Sequence, residues 1–279
     1  MPAAELPFAP PLDWESLAAF VARRSSRGVE AVVGGRYLRT VECGGRQGWV
    51  AVRPVGHSRL LAEWSETLDP VRDALLDGIR TAFDLDAPVA DIESHLGALA
   101  TLRPGLRVPG AFDGFELAVR AILGQQVSVK GASTLAGRFA AAFGRAIDTP
   151  FAELTHLAPA AEQVAAAALE QVTALGITSG RSRSILALAG EVAAGRLVLE
   201  PGGDVERTMR QLVALPGIGD WTAHYVAMRA LRWADAFPAA DLGVLRAMNE
   251  ETPRRAVARA EAWRPWRAYA VMHLWRSLA

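Results

Sequence analysis

The segment LPGIG, Leu215 to Gly219, constrains this chain more than any other. It joins two helical patterns, Val205–Ala214 and Trp221–Trp233, with too few residues for a side-chain-rich loop. The chain must therefore reverse there as a helix–turn–helix corner. Gly217 and Gly219 permit positive φ or close backbone approach. The free amides and the dipole at the start of the second helix favour an anion, and a nucleic-acid phosphate is the natural one. An ordinary αα-corner closed by a capping glycine uses the same bare PGxG. The longer string, Leu-Pro-Gly-Ile-Gly followed by Trp221-Thr222-Ala223, fits a phosphate-holding helix-hairpin-helix more closely. Asp220 pulls the other way: it would cap the second helix well, yet its charge opposes a phosphate.

Beyond the hairpin, Phe237-Pro238 breaks the chain and Asp241 precedes LGVLRAM, an amphipathic start. An N-cap is the common use of such an aspartate. Capping is compatible with chemistry. A carboxylate fixed by helix amides suits stabilisation of positive charge on a sugar during glycosidic cleavage, or the orientation of a water. Between hairpin and aspartate, Trp221 and Tyr225 stand at i and i+4 on one helix face. Trp233, Trp263, Trp266 and Trp275 crowd the C-terminal part. Aromatic faces are mostly core, the expectation for Trp233 and Trp263, but a planar cationic base also stacks on electron-rich rings.

The rest of the chain divides into two patterns. In the first ninety residues, Asp13 precedes the amphipathic run Trp14–Arg23. EAVV, RYLRTVEC and GWVAVRPV then alternate around Gly34-Gly35 and Gly44-Gly45, which are hairpin signals, and LLAEW adds a further candidate strand. A helix opened by Pro70 and running to Phe83 closes this unit. From about Asp91 the pattern is helical throughout, with helices expected at Asp113–Leu123, Val127–Phe143, Ala160–Leu175, Ser182–Ala194, Val205–Ala214, Trp221–Trp233, Leu242–Asn249, Pro253–Ala262 and Trp266–Ser277. RPGLRVPG, Arg103 to Gly110, is expected as a loop.

Composition excludes several chemistries. Of 279 residues 51% are hydrophobic, enough for a sizeable core, and no run is long enough to span a bilayer. The N-terminus lacks a signal-peptide pattern, which points to the cytoplasm. Cys43 is the only cysteine, which rules out an intrachain disulfide and a cysteine-based metal site, and the five histidines lack ligand spacing. Net charge is zero, so no global basic field advertises nucleic acid. Of the 30 basic residues only Lys130 is lysine, leaving one lysine for Schiff-base chemistry.

Taken in order, PPLDW, ARRSSRGVEAVVGGRYLR, LRPGLRVPGAFDGFELAVRAILGQQVSV, PGGDVERTM, LPGIGDWTAHYVAMRALRWADAF and AWRPWRAYAVMHLW resemble the helix-hairpin-helix–Gly/Pro/Asp superfamily of DNA glycosylases over nearly the whole chain. Within it the chain is similar to the bacterial 3-methyladenine DNA glycosylase II branch. That resemblance implies an α+β protein: a small antiparallel α+β domain (residues 1–90), a helical domain ending in the hairpin (113–231), and a second helical domain (91–112 plus 232–279). It implies a monomer with no obligate protein partner and no membrane, acting near the nucleoid on double-stranded DNA that contains alkylated bases. The enzyme would flip out the base and hydrolyse the N-glycosidic bond without a required metal or organic cofactor. By position, Asp241 is the catalytic aspartate. Trp221, Tyr225 and Trp275, with Phe20, form the base pocket. Leu215, Pro216, Gly217, Ile218 and Gly219 form the phosphate hairpin, in which the carbonyls of Val213, Leu215 and Ile218 can hold a structural monovalent cation.

The departures also carry expectations. The family's apolar DNA wedge falls on Gln126, and its pocket tyrosine after the aspartate falls on Leu242. The lysine of the lyase branches is replaced by Trp221-Thr222, so a lyase is not expected. Two rivals remain at this stage: a DNA-binding hairpin module with no chemistry, and a lyase acting on oxidised guanine.

Overall fold

The computed structural model describes residues 1–278. Its N-terminal part is one antiparallel sheet built from β1 (Ala3–Pro7), β2 (Glu30–Val33), β3 (Arg36–Cys43), β4 (Arg46–Val55) and β5 (Arg59–Trp64), in the order β1-β5-β4-β3-β2. Both Gly-Gly pairs make two-residue hairpins. Val33 pairs with Arg36 and Cys43 with Arg46, and all four glycines have positive φ, as such tight turns require. β1 carries no clear alternation in the sequence. Its pairing with β5 from Ala3↔Glu63 to Pro7↔Arg59 places it at the sheet edge, where its proline costs no ladder bond on the open side.

Between β1 and β2 lies α1 (Trp14–Arg24), capped as expected by Asp13, whose Oδ1 accepts the Ser16 amide at 3.0 Å. Pro70 does not open the next helix directly. It lies in a short 3-10 segment, Glu66–Val71, and α2 (Arg72–Phe83) starts behind it. α3 (Val89–Leu96) and α4 (Ala98–Thr101) follow. The Arg103–Gly110 loop is a surprise because residues 105–110 are buried. Buried backbone needs partners. Asp84 Oδ2 accepts the Val108 amide at 3.2 Å, and Arg229 donates to the carbonyls of Pro109 at 2.8 Å and Gly110 at 3.1 Å. Arg107, 1% exposed, ties the loop to its neighbours by donating to the carbonyls of Ala87 and Pro11, each at 3.2 Å.

The helical part comprises α5 (Gly114–Leu123), α6 (Val129–Phe143), α7 (Ala161–Ala165), α8 (Leu169–Thr173), α9 (Ser179–Ala193), α10 (Val205–Val213), α11 (Asp220–Arg229), α12 (Leu242–Met248), α13 (Pro253–Ala260) and α14 (Arg267–Ser277). The expected helix Ala160–Leu175 is in fact two. Gln163 and Gln171 each reach back to accept an amide, of Ala160 at 3.3 Å and Ala168 at 2.8 Å, and so start separate helices. The break lets Val164 and Val172 both bury fully, with α7 and α8 both packing on α9. Alanine-rich sequence carries no Gly or Pro to mark such a break.

Two cores result. One joins the sheet, α1, α2 and α3 to α12–α14, with Leu75, Phe83 and Ile92 beside Phe237, Met248 and Tyr269. The other fills the space among α5–α11, with Phe115, Ile122, Phe139, Leu188 and Val226. Trp275 packs against both. A buried ion network ties β2 and β3 to α5: Arg39 pairs with Glu30 and Glu116, and Arg120 reaches Glu30 at 3.1 Å. No helix among the described residues is long and apolar enough to cross a membrane.

Candidate active site

Asp241 caps α12, its Oδ1 accepting the Val244 amide at 2.9 Å. The carboxylate does more than cap. Oδ1 also accepts Nε1–H of Trp275 at 2.9 Å, and Oδ2 accepts Nε1–H of Trp221 at 2.8 Å. Three donors from α11, α12 and α14 thus fix both oxygens, across the seam between the two cores. All three are neutral. They orient the carboxylate and leave its charge without a cationic partner.

Beside it opens a cavity of about 280 Å³, lined by Asp241, Trp221, Tyr225 and Trp275 together with Arg24, Arg120 and the α5–α6 corner. Trp221 stacks on Tyr225 with ring centres 5.4 Å apart and planes 15° apart, as their i, i+4 spacing dictates. Phe20 does not line this cavity. It supports it from behind, stacked on Trp275 at 6.1 Å. The structure thus brings Asp241, Trp221, Tyr225 and Trp275 to one place, whereas Phe20, expected from the resemblance to line the pocket, sits one layer further out.

Sequence reasoning missed the basic wall. Arg24 and Arg120 line the cavity with Tyr225, and Arg229 Nη1 donates to the Tyr225 hydroxyl at 2.7 Å. Burial pushes the Tyr225 phenol up, but Arg229, Arg24 and Arg120 outweigh burial and hold it below the usual tyrosine range. The only local signal was the Phe20–Arg24 spacing, which places the Arg24 guanidinium 3.8 Å from the Phe20 ring centre.

The hairpin joins α10 to α11. Its two glycines differ. Gly217 has φ +74°, and a Cβ there would overlap Ser184 Oγ. Gly219 has φ −96°, and a Cβ would meet nothing. Gly217 is demanded by the fold, whereas Gly219 leaves its surroundings bare. The amides of Gly217 and Gly219 have no acceptor among the described residues. Gln125 braces the turn by donating to the Gly217 carbonyl at 3.0 Å and to Thr222 Oγ1 at 3.1 Å. Asp220 corrects an expectation. The N-cap of α11 is Gly219, and Asp220 stands one residue inside with no capping bond, its Oδ1 3.6 Å from His224 Nε2. Burial holds the His224 imidazole below its usual range, against the opposing pull of Asp220.

Gln126 is exposed with φ +55°, in the corner between Gly124 and Val127, both of which line the cavity. Leu242 is 82% exposed beside Asp241 and does not line the cavity. Lys130 is exposed on α6 and does not line it either.

Comparison with known proteins places this arrangement. The AlkA N-terminal domain family matches residues 3–113, and the HhH-GPD superfamily base excision DNA repair family matches residues 119–267. The chain belongs to the HhH-GPD superfamily of base excision DNA repair proteins. Its superfamily relatives include DNA-3-methyladenine glycosylase 2 of Escherichia coli K12, 37% identical over 95% of this chain and 94% of that one. The probable bifunctional transcriptional activator/DNA repair enzyme AlkA of Mycobacterium tuberculosis is 41% identical over 98% of this chain, which spans only 56% of that longer protein. In fold, the chain is similar to the 3-methyladenine DNA-glycosylase of Archaeoglobus fulgidus, with TM-score 0.86 at 21% identity over 98% of this chain and 97% of that one. The α+β architecture with a hairpin-bearing helical part is thus that of the superfamily.

Proposed function

We propose that this chain is a monofunctional DNA glycosylase that flips alkylated, 3-methyladenine-type bases out of duplex DNA and hydrolyses their N-glycosidic bond. The observation that carries the reading is Asp241, fixed by two indole N–H groups and an amide at the mouth of an aromatic cavity, with its charge uncancelled. The name of the Escherichia coli relative supports the substrate class.

In this mechanism the hairpin holds a backbone phosphate on the amides of Gly217, Gly219 and α11, and Gln126 fills the stack that the base vacates. The base stacks among Trp221, Tyr225 and Trp275. An alkylated base is cationic and departs as a neutral molecule, so no strong general acid is needed. Positive charge then moves to the sugar, where Asp241 stabilises it and guides the attacking water. No lysine lines the cavity to divert the sugar into a Schiff base, which is why lyase activity is not part of the proposal. No cofactor is required. A monovalent cation would sit on the carbonyls of Val213, Leu215 and Ile218. That of Leu215 accepts the Ile218 amide at 3.2 Å and keeps one lone pair for such an ion. The three units, 1–90, 113–231 and 91–112 plus 232–279, would close on DNA as a monomer.

The test is release of free bases from dimethyl-sulfate-treated duplex DNA, with borohydride present in a parallel reaction. The proposal predicts free 3-methyladenine, intact abasic strands and no trapped adduct. No base release would leave a DNA-binding module, and a nicked strand with a trapped adduct would indicate a lyase.

A further inference from the structure

The three arginines beside the base cavity are not equivalent. Arg120 is committed to Glu30 at 3.1 Å, to Glu116 and to the backbone oxygen of Arg24. Arg229 is committed to the carbonyls of Pro109 at 2.8 Å and Gly110 at 3.1 Å and to the Tyr225 hydroxyl. Arg24 lines the same cavity with one weak bond, Nη1 to the Phe20 carbonyl at 3.4 Å, and no carboxylate partner among the described residues. Its guanidinium lies over the Phe20 ring, which fixes its plane without using its N–H groups. Burial lowers its pKa against an opposing pull from Tyr225, and Arg229, Arg23 and Arg120 add to the lowering, so the fold sustains an unpaired charge among like charges. The half-buried Arg24 guanidinium offers only donors, and all but one of them lack a protein acceptor among the described residues.

We propose that Arg24 reads the 6-position of the flipped purine, donating to a 6-oxo group and disfavouring a 6-amino group. The inference rests on the glycosylase reading above. A 6-oxo purine brings an acceptor to Arg24, whereas an adenine-type base brings its N6 donors against a group that has only donors. 7-Methylguanine and 3-methyladenine are both cationic in DNA, so repulsion from the guanidinium is common to the two. Their discrimination reports the hydrogen bond. Arg24 thus acts on the range of bases released, while Asp241 acts on the bond that breaks.

The experiment compares 7-methylguanine and 3-methyladenine release from one dimethyl-sulfate-treated DNA by the wild-type protein, Arg24→Met and Arg24→Lys. The expected result is a drop in the 7-methylguanine to 3-methyladenine rate ratio of about tenfold in Arg24→Met, which is the worth of one charge-assisted hydrogen bond, with partial recovery in Arg24→Lys. An unchanged ratio, or an equal loss of both bases, overturns the inference and leaves the glycosylase reading intact. No release of either base by the wild type overturns both. Should Arg24→Met fail to fold, binding of free hypoxanthine and free adenine to the wild-type protein, read by tryptophan fluorescence, decides the matter. Tighter binding of hypoxanthine supports the role of Arg24, and equal or weaker binding refutes it.

Discussion

Asp235 and Asp241 lie on one connection between α11 and α12, Asp235 midway along it and Asp241 at its end, and the fold treats their charges in opposite ways. Asp235 is 8% exposed and met by guanidinium groups, those of Arg267 at 2.7 and 2.9 Å and Arg264 at 2.5 Å. Asp241 is met by two indoles and an amide. Both are held still. In the first case the charge is cancelled, and the carboxylate is a structural strut. In the second it is oriented but kept, beside a cavity, where a developing positive charge can use it. The same rule covers the buried Glu30 and Glu116, both neutralised by Arg39 and Arg120. Asp13 and Asp113 are likewise fixed by helix amides without a cationic partner, but neither lines the cavity. What sets Asp241 apart is that its uncancelled charge lies beside that cavity, between two indoles.

Replacing the strut should cost stability and spare the chemistry. Asp235→Asn leaves the buried Arg267 short of its counter-charge, for which a loss of about 3–5 kcal/mol is expected. Chemical denaturation would measure the loss, and base release by the folded protein below its transition should stay near the wild-type rate. A marked fall in that rate would blur the distinction between the two aspartates.

Loosening the second carboxylate should do the reverse. Trp221→Phe keeps a ring in the wall but leaves Oδ2 of Asp241 without a donor. Trp275→Phe leaves Oδ1 still held by the Val244 amide. A bond from a neutral donor to a charged group is worth about 1.5–3 kcal/mol, so a fall of about tenfold or more in single-turnover release is expected for Trp221→Phe and a smaller one for Trp275→Phe. The reverse order, or weaker abasic-DNA binding of the same size, would mean that the indoles serve only as stacking surface. The smallest effect is expected at Asp220. It is exposed at the start of α11, so Asp220→Asn should tighten abasic-DNA binding by only a few-fold, in a salt-dependent manner, and unchanged affinity would remove its charge from consideration.

Much of this was legible because it is local. Gly34-Gly35 and Gly44-Gly45 mark their own turns, and the hairpin, Trp221, Tyr225 and Asp241 fall within one short stretch with helical spacing between them. β1 was not legible, since its strand character comes from β5 rather than from alternation. The break between α7 and α8 depends on two glutamine side chains in an alanine-rich run. The basic wall was invisible for another reason. Arg24, Arg120 and Arg229 meet only in the tertiary structure, and with all but one of 30 basic residues being arginine, no single one stands out in the sequence. Which aspartate keeps its charge is likewise decided by partners up to 34 residues away.

The most direct test is base release by Asp241→Asn on methylated duplex DNA, with abasic-DNA binding measured on the same preparation. The substitution keeps an acceptor for Val244 and Trp275 and removes the charge. Retained abasic-DNA binding with release slowed by about 100- to 1000-fold is the predicted result, the usual scale for losing one electrostatic stabiliser of a transition state. Release at the wild-type rate would contradict the account.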